Sequence, residues 1–395
     1  FKQKTAYEIM PSLVGSEMCI RDRHMVDLLV AIASLESPTD KPETQYPVQA
    51  HLTEALEERD FLVRRISGRQ TGGDLYARPR ERKKGRPGQL LVGHSDTVWP
   101  VGTLQSMPIL VDDYRICGPG TFDMKAGLVQ GIFALEALNA LKLEPPATPV
   151  WIINSDEEIG SPESQRWVRM ISRHVERAFV LEPAFGLEGR LKTARKGFAR
   201  FKVNVKGIAA HSGLDPTAGA SAIEELSQVI LQIHALTDQR LGTTANVGTI
   251  KGGTRSNVVA ASASCEVDVR ACTSNDLERL SEVIFDLKPR TEGTKIEIDH
   301  LVTVPPVENK GRNRVLWEEA LVVGQRLGIE LKEVTSGGGS DGNTTSQFTA
   351  TLDGLGAIGD GAHAPHEGIV IESMVERAAL LAELLMAPIA SSRKQ

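Results

Sequence analysis

Asp156, Glu157 and Glu158 stand in a row directly after the apolar run Val150-Trp151-Ile152-Ile153 and just before Gly160-Ser161-Pro162. A run of β-branched and aromatic residues reads as a buried strand, so three carboxylates emerge together at its carboxyl end, where open α/β sheets bind their ligands. Like charges this close repel one another and resist desolvation, so the arrangement calls for cations, and a pair of metal ions would supply them. An isolated Asp-Glu-Glu is more often a solvated acidic turn, and the motif gains meaning only from its partners.

Those partners lie near the ends of other strand-like or glycine-rich segments. Gln89-Leu90-Leu91-Val92-Gly93 reads as a second buried strand and delivers His94-Ser95-Asp96-Thr97. Two residues apart on extended backbone, His94 and Asp96 project to the same side, so the imidazole can bind a metal while the carboxylate fixes the ring. Gly118-Pro119-Gly120 sets a tight loop, and Asp123 of the following Thr121-Phe122-Asp123-Met124-Lys125 stands just before a helix expected over residues 125–141. Ala178-Phe179-Val180-Leu181 leads to Glu182, and the segment from Gly359 to Glu367 adds His363 and His366. Each of these is weak by itself. Together His94, Asp123, Glu158, Glu182 and His363 form a nitrogen and oxygen donor set suited to zinc or a similar divalent ion, and Glu157 is left over as a base.

In order and spacing these segments resemble the zinc-dependent amidohydrolase and exopeptidase family that includes glutamate carboxypeptidase, acetylornithine deacetylase, succinyl-diaminopimelate desuccinylase and aminoacylase. The shared residues are Gly93-His94-Ser95-Asp96-Thr97-Val98, Gly118-Pro119-Gly120 through Lys125, Asp156 through Ser161, Leu181-Glu182-Pro183, and His363 followed four residues later by Glu367. The stretch Thr97-Val98-Trp99-Pro100-Val101-Gly102-Thr103 looks most like the glutamate carboxypeptidase branch. The resemblance implies two zinc ions per subunit, with cobalt or manganese as alternatives. Asp123 would bridge them, His94 and Glu182 would complete one site, and Glu158 and His363 the other. It also implies that Glu157 takes a proton from water and passes it to the leaving nitrogen, that Asp96 orients His94, and that a cis peptide joins Asp123 to Met124. His366 departs from the family pattern and reads as an exposed, incidental histidine.

In the middle of the chain, Phe198-Ala199-Arg200-Phe201-Lys202-Val203-Asn204-Val205 alternates apolar and polar residues, as a half-exposed antiparallel strand does. Expected after it are a helix over 218–236, strands over 245–250 and 264–270, a helix over 275–285 and a strand over 294–298. That β-α-β-β-α-β order suits a split ferredoxin-like sandwich. The fold class is therefore α/β: a di-zinc exopeptidase-type catalytic domain, with a mixed central sheet flanked by helices, and an inserted α+β ferredoxin-like lid. The expected division is catalytic domain over 24–197 and 309–390 and lid over 198–308. By resemblance the lid mediates a homodimer, and His211 of one subunit donates a hydrogen bond to the developing oxyanion in the other. Asn257 and Arg270 match positions that contact a substrate carboxylate, a task suited to the planar fork of arginine. The glycine-rich segment around Gly339 and Ser340 offers backbone amides as an anion nest.

Composition fits an enzyme of two domains: 395 residues, 41% hydrophobic and 24% charged. A net charge of −6 and the lack of a basic stripe argue against nucleic-acid binding, and no apolar run is long enough to span a bilayer. Cys19, Cys117, Cys265 and Cys272 show neither metal-type nor disulfide-framework spacing, and the default location is the cytoplasm. Residues 1–23 resemble a translated sequencing-adapter read, a non-native segment, so a periplasmic or secreted location with a lost signal peptide stays open. The reading these features support is a metal-dependent hydrolase that cleaves an amide next to a free carboxylate in a small peptide or an N-acyl amino acid. An aminopeptidase or dipeptidase is the alternative within the enzyme class, against which Glu182 speaks, since aminopeptidase relatives usually carry aspartate there. A non-catalytic binding protein on the same fold is the third reading.

Overall fold

The computed structural model describes residues 18–389 of the chain, and the adapter-like segment lies largely outside them. In chain order the helices and strands that matter here are α1 (Met18–Ala33), α2 (Pro42–Glu57), β1 (Phe61–Ile66), β2 (Asp74–Pro79), β3 (Gly88–His94), β4 (Leu110–Val111), β5 (Arg115–Cys117), α3 (Ala126–Ala140), β6 (Thr148–Asn154), α4 (Gln165–Ser172), β7 (Val175–Val180) and β8 (Leu191–Arg195). They continue with β9 (Gly197–Lys206), α5 (Ala222–His234), β10 (Thr244–Gly252), β11 (Ser262–Ala271), α6 (Ser274–Phe285), β12 (Lys295–Val304), α7 (Gly311–Leu327), β13 (Glu333–Ser336), α8 (Asp341–Thr345), β14 (Ala350–Leu352), β15 (Gly359–Asp360), β16 (Gly368–Val370) and α9 (Ile371–Met386). The chain divides into two compact units, one of residues 1–193, 309–336 and 340–395 and the other of residues 194–308 and 337–339.

The first unit is built on a six-stranded sheet in the order β1-β2-β6-β3-β7-β14. β3 runs parallel to both β6 and β7, β14 runs parallel to β7, and β1 and β2 add antiparallel strands at one edge. Central parallel strands must be apolar on both faces, and β6 is buried along its whole length. Leu91, Trp151, Ile153 and Phe179 face the larger core, while Leu90, Val92, Ile152 and Val180 face a second cluster that includes Val168 of α4. α3 is apolar all round, as a helix buried between the sheet and α9 should be, and twelve of its fifteen residues are buried. A second, small sheet in the order β15-β16-β5-β4 braces the segments that follow β3 and precede α9.

The second unit is an antiparallel sheet in the order β10-β11-β9-β12 with α5 and α6 packed on it. Element order and strand order are those of the ferredoxin-like sandwich expected from the sequence. β9 alternates strictly, with Ala199, Phe201, Val203 and Val205 buried against α5 and α6 and the intervening polar residues outward. β12 is longer than the sequence pattern indicates. It runs ten residues because its weakly alternating second half, through Val304, keeps pairing with Phe198 and Ala199 of β9 across a bulge at His300/Val302.

Candidate metal centre

Three parallel strands deliver three pieces of the site to one edge of the sheet. β3 ends on His94, with Asp96 two residues on; β6 ends on Asn154, with Glu157 and Glu158 in the short turn that follows; β7 leads to Glu182. The Leu181 N–H donates to the Val92 carbonyl at 2.9 Å, which carries the strand pairing up to the ligand positions. Asp123 comes from the loop before α3. There Gly120 takes a left-handed φ of +71°, and a Cβ on it would lie 2.6 Å from Thr97 Cγ2, so only glycine lets the loop cross β3's exit so closely. The peptide between Asp123 and Met124 is cis. His363 lies in the turn between β15 and β16 and itself adopts a left-handed φ of +60°, uncommon for a residue with a Cβ.

The five side chains converge. His94 Nε2 is 3.3 Å from Asp123 Oδ1 and 3.4 Å from Glu182 Oε1. His363 Nε2 is 3.2 Å from Glu158 Oε2 and 3.5 Å from Asp123 Oδ2. Asp123 thus turns one carboxylate oxygen to each imidazole. Glu157 Oε2 lies 4.0 Å from His94 Nε2 and belongs with His94 and Glu182 to one cluster whose donor atoms could hold an ion; His94, Asp123 and Glu158 make the other. Distance alone therefore does not separate Glu157 from the ligands. His363 is half exposed while His94 and Asp96 are buried, so one side of the cluster is open to solvent.

The electrostatics are those of a site short of positive charge. Burial and then the neighbouring Glu182 charge lift the Glu157 carboxyl well above the usual carboxylate range. Burial also pushes Glu158 up to about 7, against the hydrogen bond from His363. His363 is raised to about 10 by its bonds to Asp123 and Glu158. Burial would depress His94, but its bonds to Asp123, Asp96 and Glu182 outweigh that and raise it. Burial would raise Asp123, and the bonds from both histidines overcome that and hold it low. Glu158 Oε1 is buried without a hydrogen-bond partner, a cost that a bound cation would remove. Mixed imidazole and carboxylate donors and an orphaned buried carboxylate oxygen fit a divalent metal ion.

Further residues support the donor cluster, some of them from distant parts of the sequence. His94 Nδ1 lies 3.0 Å from the Asp96 carbonyl oxygen and 3.4 Å from its carboxylate, which orients the ring. The same carboxylate accepts the Thr39 hydroxyl at 2.7 Å and the Glu158 N–H at 3.3 Å, tying the β3 exit to the acidic turn. Thr39 sits 57 residues away in sequence, so only the fold reveals it. Asp341, at the start of α8, accepts from Asn154 at 2.6 Å and Ser161 at 2.7 Å and so buttresses both ends of that turn. Lys192 Nζ stands 3.8 Å from Glu182 Oε2, beside the donor cluster. His366 is exposed.

The remaining site candidates divide between the units. Ser340 belongs to the first, where its hydroxyl donates to Asp353 at 2.6 Å and accepts the Gly342 N–H, and its own N–H donates to Asn343 Oδ1 at 2.9 Å; it caps α8. His211, Asn257, Arg270 and Gly339 belong to the second. His211 Nδ1 accepts the N–H groups of Gly213 and Leu214, both at 3.2 Å, so the neutral ring carries its proton on Nε2, as a donor. The Asn257 carbonyl accepts the Ser212 N–H at 3.1 Å, which places Asn257 beside His211. Arg270 donates to Asp268 at 2.8 Å and to the Gly337 carbonyl at 2.9 Å, while Arg195 donates to the Gly338 and Gly339 carbonyls. The glycine-rich loop is thus gripped through its carbonyls by two arginines.

The chain is similar to known proteins in sequence and in fold. The chain is 26% identical over 373 residues to carboxypeptidase G2 of Pseudomonas sp. strain RS-16, covering 92% of this chain and 88% of that protein. It is 27% identical over 310 residues to acetylornithine deacetylase of Myxococcus xanthus, covering 75% and 79%. Its fold is that of the aminopeptidase PepT of Bacillus cereus, with a TM-score of 0.75 at 21% identity over 92% of this chain and 98% of that one. The model of peptidase family M20/M25/M40 matches residues 90–387, three-quarters of the sequence and every residue of the metal-centre candidate, and the chain belongs to that family.

Proposed function

We propose that the chain is a two-zinc amidohydrolase of carboxypeptidase type, cleaving an amide whose amino-acid side bears a free carboxylate. The observation that carries this reading is Asp123, with one oxygen toward His94 and the other toward His363, between Glu182 and Glu158. His94, Asp123 and Glu182 would hold one ion, and Asp123, Glu158 and His363 the other. Such a pair, when bound, polarises the scissile carbonyl and lowers the pKa of water.

Glu157 is the proton carrier in this reading. Its raised affinity for protons suits a carboxyl that must take a proton and return it to the leaving nitrogen near neutral pH. Arg270, fixed by Asp268 and Gly337, supports recognition of the substrate carboxylate together with Asn257. The Nε2–H tautomer of His211 supports a donor role toward the oxyanion, in the partner subunit's site as the family resemblance implies. A homodimer through the second unit is supported by β10, an edge strand exposed along most of its length, and by Leu231 and Ile250, which are 72% and 59% exposed. The free thiols of Cys117, Cys265 and Cys272 suit a cytoplasmic location. No helix among the described residues is long and apolar enough to cross a membrane.

The test is a panel of N-acyl amino acids, folate-type glutamates, and dipeptides with blocked or free amino termini, assayed with zinc-loaded protein. Turnover of amino-blocked substrates with a free carboxylate, abolished by a chelator and restored by zinc, is the expected result. Turnover confined to dipeptides with a free amino terminus would replace this reading with an aminopeptidase or dipeptidase.

A further inference from the structure

Glu367 is fully buried, and both oxygens of its carboxylate accept hydrogen bonds. Its Oε1 accepts the N–H of Phe122 and the N–H of Asp123, both at 3.0 Å. Its Oε2 accepts the indole N–H of Trp99 at 2.6 Å. The Glu367 carbonyl accepts the Gly118 N–H at 2.9 Å, and Gly368 then pairs with Cys117 where β16 meets β5. One residue thereby fastens three segments: the β3 exit through Trp99, the Asp123 loop through two amides, and the His363 turn through its own backbone.

We propose that Glu367 is a positioning residue that holds Asp123 between the two imidazoles, and that Trp99 holds Glu367. The inference rests on the metal-centre reading above. Oxygen acceptors are needed at both ends of the side chain, because the amides lie at one end and the indole at the other. A glutamine in this place must turn its NH2 toward a donor, whichever way it flips. Charge adds to the demand, since a buried carboxylate bonded to N–H groups gives stronger hydrogen bonds than a neutral amide. Residues that orient metal ligands in this manner typically cost about 10- to 100-fold in metal affinity when removed.

The experiment measures zinc affinity by competition with a chromogenic chelator on metal-depleted full-length protein, with the metal-free melting temperature as a check on folding. Glu367→Ala and Glu367→Gln should each weaken at least one zinc by about 10- to 100-fold. Trp99→Phe should weaken it less. The double variant Glu367→Gln with Trp99→Phe removes the indole donor, frees that end for the NH2 group, and should bind zinc better than Glu367→Gln alone. Unchanged zinc affinity in both Glu367 variants, or a double variant no better than Glu367→Gln, overturns the positioning role while leaving the two-ion reading intact if the parent chain binds two zinc ions. A parent chain that binds none overturns both.

Discussion

Glu157 and Glu158 are neighbours with the same side chain, and the fold gives them different surroundings. Glu158 meets the His363 imidazole and keeps one oxygen buried and unbonded, whereas Glu157 faces the charge of Glu182 and the ring of His94. Glu158→Ala should therefore lower the zinc content of the purified chain, read by elemental analysis. The proton inventory gives a second prediction. Folding raises Glu158 from 4.5 to about 7 and His363 from 6.5 to about 10, so the folded metal-free state binds more protons than the unfolded state through both intervals. Their contribution to stability is full below the unfolded values and is lost as pH rises, for Glu158 through about 7 and for His363 through about 10. Asp123, held low, acts with the opposite sign, but only in acid. Zinc must displace the same protons, so its binding strengthens as pH rises. Calorimetric melting at pH 6.5 to 9.5 should show the gap between zinc-loaded and metal-free protein widening with pH; a gap that narrows contradicts the assignment of His363 as a ligand.

At the scale of elements, the site depends on how closely α3 approaches the end of β7. A Cβ on Gly127 would lie 2.0 Å from the Leu181 carbonyl oxygen, so the first turn of α3, which follows Asp123, can sit against the residue preceding Glu182 only with glycine there. Gly127→Ala should cost about 1 to 3 kcal/mol of stability and displace Asp123 from Glu182, lowering zinc affinity as well as the melting temperature. A variant with parent stability and parent zinc affinity would show that this contact is dispensable. The elements themselves were largely legible in the sequence, because their signals are local. The apolar runs over residues 89–93 and 150–153 read as buried strands, and the alternation in β9 fixed which face is core. The contacts from Thr39 to Asp96, Asp341 to Asn154 and Trp99 to Glu367 were not, because each joins segments 57 to 268 residues apart and no periodicity encodes such a pairing. The role of Ser340 was hidden for a different reason. A serine in a glycine-rich loop looks like a ligand contact and a helix cap alike, and only the start of α8 decides between them.

At the scale of the molecule, the two compact units carry different parts of the proposed chemistry: the metal donors and Glu157 in the first, and His211, Asn257 and Arg270 in the second. If two chains pair through the exposed face of the second unit, replacing Leu231 and Ile250 with glutamate should convert a dimer to a monomer without loss of folding. Sedimentation at several concentrations would show it, and a parent chain that sediments as a monomer throughout would refute the dimer. A division of labour between two adjacent carboxylates, Glu158 as ligand and Glu157 as base, is at risk because Glu157 lies close enough to His94 and Glu182 to join them as a donor. Zinc content and turnover of Glu157→Gln, measured on the same preparation with a substrate the parent hydrolyses, test it most directly. Glu157→Gln should retain two zinc ions per chain, as in the parent, with turnover reduced by about 100-fold or more, as expected when a general base is removed. Loss of a zinc ion, or retention of parent activity, would contradict it.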